Sequence, residues 1–120
     1  MKYLAPSLVG LIAALHVYIM VLEMFLWNRA ARVFGIPKAE RGNMRYKTML
    51  MNQGIYNGCF AAGLIWGLVH PNPVIGIQVQ LFFLGCVAVV GVVGAATAHM
   101  KILFIQTIPA LAAMAVLYFF

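Results

Sequence analysis

Four stretches of this sequence, residues 4–27, 50–69, 74–98 and 102–119, run with almost no charge for long enough to cross a bilayer. At ~1.5 Å per residue each is suited to about 30 Å of hydrocarbon. Of the 120 residues, 65% are hydrophobic and only 8% charged, whereas a soluble domain carries roughly 25% charge because its surface faces water. One small core cannot bury so much apolar surface. A membrane removes the conflict. Transmembrane strands would show short alternating segments, and backbone in lipid must satisfy its own polar groups. The expectation is therefore all-α: a polytopic membrane protein, one domain over 1–120, with four transmembrane helices in an up-down bundle.

The breaks between spans are equally legible. "HPNPV", 70–74, reads as a tight turn because two prolines cannot continue a helix. "AHMKI", 98–102, is as short and makes an antiparallel hairpin of the last two spans, with His99 in the connection. The one long connection, 28–48, holds Arg29, Arg32, Lys38, Arg41, Arg45 and Lys47, six of the eight basic residues, against Glu40 alone. Lys38, Arg41 and Arg45 fall on one helical stripe, so its second half reads as a helical extension of span two lying on anionic lipid. A basic excess marks the cytoplasmic side. That places 28–48 and Lys101 inside, and both termini and the 70–73 turn outside, in a multi-pass protein of the cell's inner (plasma) membrane.

Other readings of the composition fail. The formal charge of +6 is confined to one connection rather than spread along a groove, so nucleic acid is not an expected partner. The first apolar run is too long for a signal peptide, contains Glu23 and lacks a small-x-small cleavage site. Cys59 and Cys86 show neither CxxC nor Cys/His spacing and read as packing residues.

Polar residues inside the spans are the candidates for chemistry. His16 and Glu23 return to nearly one face of the first span, with Met20 and Trp27 between and beyond them. An ionisable group at mid-bilayer costs at least ~2.5 kcal/mol on insertion scales and rarely faces lipid. Glu23 reads either as an interface carboxylate paired with Arg29 or Lys47, or as a functional acid. His16 reads as a packing histidine or a proton-handling one. In "MNQGIYNGCF", 51–60, Asn52, Gln53, Tyr56 and Asn57 share one broad face, bordered by Gly54 and Gly58; Gly63 and Gly67 repeat the small-xxx-small spacing. Small residues admit a neighbouring backbone, and carboxamides bond across the contact. These residues serve as helix glue or line a cavity.

With Gln106 and Thr97 from later spans, and a small-residue stripe of Gly91, Ala95 and Ala98, the polar groups fall in the cytoplasmic half of the membrane. Converging polar groups in an apolar pocket are a binding-site pattern. Pro109 interrupts the last span and frees a carbonyl near Ile105. Gln78, Gln80, Trp66 and His70 read as anchors at the outer interface. No nucleophile–base pair, paired carboxylates, metal-ligand spacing or phosphate loop occurs in the sequence. Neither a catalytic constellation, a metal nor a cofactor is expected.

The blocks "HVYIMVLEMFLW" (16–27), "NQGIYNGCFAAGLIWG" (52–67), "QLFFLGCVAVVGVVGAATA" (80–98) and "KILFIQTIPALAA" (101–113), in this order, resemble the bacterial family known as domain of unknown function 1304. The resemblance covers nearly the whole chain. It implies a small four-helix integral membrane protein of unassigned role, with His16, Glu23, Asn52, Gln53, Asn57 and Gln106 at motif positions; "GVVGAATAHM", with its His99, departs slightly from the pattern. Three functions compete. An oligomeric small-molecule transporter, most simply a dimer, would couple flux to protons through Glu23 or His16. A subunit or enzyme the size of the membrane-associated glutathione enzymes would hold a lipid, quinone or thiol. A channel would need a wettable lumen, for which the outer half offers few polar groups.

Overall fold

The computed structural model describes residues 2–98 and 100–120; the expectation attached to His99 lies outside the described residues. Every regular element among the described residues is helical: α1 (Leu4–Phe25), α2 (Trp27–Val33), a 3₁₀ turn (Lys38–Glu40), α3 (Met44–Val69), α4 (Pro73–Thr97), a π-helical turn (Leu103–Thr107) and α5 (Ile108–Phe119). Two helices, α1 and α4, are both long and apolar enough to cross a membrane, and 103–119 forms a shorter apolar stretch. The contacts divide into two compact units, Met1–Ala14 with Phe60–Phe120, and Leu15–Cys59.

In the first unit an apolar core collects Val9, Ile12, Ala13, Leu64, Leu84, Val87, Ala88, Ala110 and Ala113, with Phe60, Phe83 and Met114 packed on it. Alanines and glycines set how closely its helices approach. A β-carbon at Gly76 would fall 2.5 Å from the Gly67 carbonyl oxygen, so α3 and α4 touch backbone to backbone near their shared turn. Asn72 caps α4, its Oδ1 accepting from the amides of Val74 (3.0 Å) and Ile75 (3.3 Å). Pro73 then opens the helix, at the position where a missing N–H costs nothing. The turn expected at 70–74 thus has a donor-satisfying mechanism besides its prolines.

Two expectations for this unit need correction. Gln80 is buried rather than anchored at an interface, and its Nε2 donates to the Gly67 carbonyl at 3.1 Å. The side chain lies over a glycine that has no β-carbon to exclude it, since a Gly67 β-carbon would stand 2.6 Å from Gln80 Cγ. Thr97 is exposed, and its hydroxyl donates to Val93 O within its own helix at 2.7 Å, so it does not turn inward. Before Pro109 the helix widens into a π turn, in which the Ile108 amide donates to Leu103 O five residues back. A proline that cannot donate to Ile105 O is accommodated by this extra residue in the turn. Thr107, buried there, donates from its hydroxyl to Ala88 O of α4 at 2.9 Å.

In the second unit α1 ends at Phe25, and Leu26 leaves helical geometry (φ −120°, ψ 61°) before α2 begins. The helix α1 thus ends two residues before the apolar stretch 4–27 does. Gly35, at φ 68°, ends α2 in the left-handed conformation, and the Ile36 amide returns to Ala31 O at 2.9 Å. This is the glycine-terminated helix end that satisfies orphan carbonyls. The basic connection is not one continuous helical stripe: Lys38 lies in the 3₁₀ turn, Arg41 follows it, and Arg45 belongs to α3. Asn43 separates them, its Oδ1 accepting the Arg45 amide at 2.9 Å and starting α3 afresh at Met44. A helix continuous with the second apolar stretch begins only at Met44.

Candidate functional site: a buried carboxylate

Glu23 occupies the last turn of α1 and is 5% exposed. Its partner is not a base of the connection. Asn57 of α3, itself 8% exposed, donates from Nδ2 to Glu23 Oε1 at 2.6 Å. The same carboxamide nitrogen lies 3.1 Å from Gln53 O, one helical turn back. Asn57 is therefore clamped between its own helix and the carboxylate.

Glycine positions the pair. A β-carbon at Gly54 would stand 2.5 Å from Met24 Cγ and 3.2 Å from Glu23 Cβ, and one at Gly58 would stand 2.6 Å from Met20 Sδ. The open face of Gly54 and Gly58 is thus filled by two methionine side chains and the stem of the acid. Thioethers are soft and adaptable, and suit a surface that repacks around different occupants. His16, on the same helix as Glu23, has no exposed surface.

The other carboxamides fare differently. Asn52, Gln53 and Tyr56 are exposed, because the buried face of α3 in this unit runs through Leu50, Gly54 and Asn57. Gln106 and Thr107 are buried on the π turn of the first unit, and Gly91 faces both there. In that unit Gly63 lies against the Phe83 ring, and Ala95 is half-buried. Sequence reasoning missed Met24 as a wall of the carboxylate site and Thr107 as a link from the π turn to α4. The signal for Thr107 was a hydroxyl beside a proline-bearing turn. For Met24 no pattern beyond adjacency to Glu23 existed. Among the described residues no group of three metal-ligating side chains is assembled.

Fold and site together define an all-helical protein with two helices long and apolar enough to cross a bilayer, and a carboxylate–carboxamide pair buried in its second unit. The chain belongs to the family described as "Protein of unknown function (DUF1304)", whose model matches residues 10–118. It is similar to "Uncharacterized protein YpaA" of Lactococcus lactis subsp. lactis (strain IL1403), with 32% identity over 98 residues, covering 80% of this chain and 81% of that relative. No solved structure matches the chain significantly.

Proposed function

We propose that this chain is a four-span protein of the inner membrane that binds a small molecule at the Glu23 site and moves it across the bilayer in exchange for protons. The observation that carries the reading is the buried Glu23 carboxylate, held by a carboxamide and not by a base. A charge out of water needs a countercharge, and a proton or a cationic solute supplies it alternately. His16, Asn52, Gln53 and Tyr56 of the same unit are assigned to the path. A second copy of the chain completes the conduit. Exposed carboxamides on an apolar helix favour this, since a neighbouring helix would give them hydrogen-bond partners.

The test is flux in liposomes. Under an imposed pH gradient the protein should drive uptake or efflux of a compound from a library of organic cations and anions, and Glu23→Gln should abolish that flux while the purified variant remains folded. Absence of flux across the whole library, or flux undiminished in Glu23→Gln, overturns the proposal.

A further inference from the structure

The connection between α1 and α3 is a folded lobe with its own core. Ala31, Ile36 and Leu50 are buried together, with Trp27 and Tyr46 packed on them. Two hydrogen bonds fasten it: Trp27 Nε1 donates to Arg41 O at 3.0 Å, and Arg41 Nε donates to Ile36 O at 2.9 Å. Arg41 is thereby committed to the lobe's interior architecture. Arg29, Arg32, Lys38 and Arg45 are exposed, and Glu40 is the lobe's single acid. Interleaved with these bases are large apolar side chains left uncovered: Phe25 at 71% exposure, Val33 at 51%, Phe34 at 42% and Met44 at 68%.

A soluble surface would not present bases and aromatic or aliphatic side chains in alternation on so small a fold. An interfacial surface does, because the apolar groups enter the acyl boundary while the bases meet phosphate. We infer that residues 25–49 form a binding surface for anionic phospholipid headgroups, with Arg29 and Arg32, one turn apart on α2, as the principal phosphate ligands. Lys38 and Arg45 add charge, and Phe25, Val33, Phe34 and Met44 fix the depth. The lobe is prefolded by the Trp27–Arg41–Ile36 bonds, so the lipid is not needed to order it. Nucleic acid fits less well, since it offers nothing to the exposed apolar side chains.

The full-length protein, purified in a neutral detergent, tests this with an equimolar mixture of phosphatidylglycerol and phosphatidylcholine. Native mass spectrometry should find the anionic lipid bound in at least about fivefold preference, the discrimination that a single base near a charged surface supplies. The anionic lipid should also raise the thermal midpoint, whereas phosphatidylcholine and millimolar inorganic phosphate should not. Arg29→Gln with Arg32→Gln should bring the preference close to unity, and the Arg→Lys pair should retain most of it. Arg41→Gln should lower the midpoint of the lipid-free protein yet leave the preference intact, because its role is internal. Equal binding of the two lipids, an unchanged preference in the Gln pair, or an equal shift with free phosphate each overturn the inference.

Discussion

Asn52 and Asn57 carry the same side chain on the same helix and end on opposite sides of it. Asn57 is buried against Glu23, and Asn52 is exposed. The sequence shows that both belong to one broad polar face, but that face is wide enough to straddle the boundary between core and surroundings. The rotation is decided by Leu50 and Gly54, which share Asn57's side of the helix and go inside with it. Those two residues are unremarkable in composition, so the boundary was not legible from the carboxamides. The pairing of Glu23 with Asn57 rather than Arg29 or Lys47 was equally hidden, because partner choice depends on the closeness that Gly54 permits. Interhelical hydrogen bonds in membranes average ~0.6 kcal/mol and reach ~1.7. A double-mutant cycle with Glu23→Leu and Asn57→Leu, read by denaturant unfolding in detergent, should return a coupling energy toward the upper end of that range. Asn52→Leu should change stability by less than about 0.5 kcal/mol in the same assay, as surface substitutions do.

At the level of elements, the glycines differ by what faces them. A new methyl at Gly58 would press on the sulfur near the end of the flexible Met20 side chain, at 2.6 Å, while one at Gly76 would press on the Gly67 backbone oxygen at 2.5 Å. A methionine swings aside, whereas a helix backbone moves only by separating α3 from α4. Gly58→Ala should therefore stay within about 1 kcal/mol of neutral, since helix propensity gained by alanine offsets the displacement. Gly76→Ala should cost about 1–3 kcal/mol, the usual range for overpacking. Thermal denaturation of the two variants in one detergent measures the contrast. In the same hairpin Asn72→Ala should cost about 1 kcal/mol by removing the α4 cap. The helices themselves were largely legible, because apolar length and proline positions fix them. The π turn at Leu103–Thr107 was not: Pro109 announces an interrupted ladder but leaves open whether the chain bends or inserts a residue. Here the outcome is joined by Thr107, whose hydroxyl ties the widened turn to Ala88 O.

For the whole molecule, the number of crossings decides which side of the membrane each connection meets. Helices α1 and α4 satisfy length and apolarity together. Helix α3 has 26 residues, about 39 Å at helical rise, but spends several of them on Arg45, Lys47 and the carboxamides. The stretch 103–119 is at the short end of what spans, and a bilayer thins or a helix resists tilting to accommodate such a length. Two crossings and four crossings make opposite statements about two points in the chain. With the basic lobe inside, four crossings put the turn before Pro73 outside and Lys101 inside. Two crossings, by α1 and α4 alone, put that turn inside and Lys101 outside. Single cysteines at Pro71 and at Met100, both exposed positions, introduced with Cys59→Ser and Cys86→Ser, separate these cases. In intact cells a membrane-impermeant maleimide should label Pro71→Cys and leave Met100→Cys unlabelled until the membrane is permeabilised. The reverse pattern would leave α3 and 103–119 as helices lying on or beside the bilayer, and would remove the continuous path through which a solute bound near Glu23 could cross.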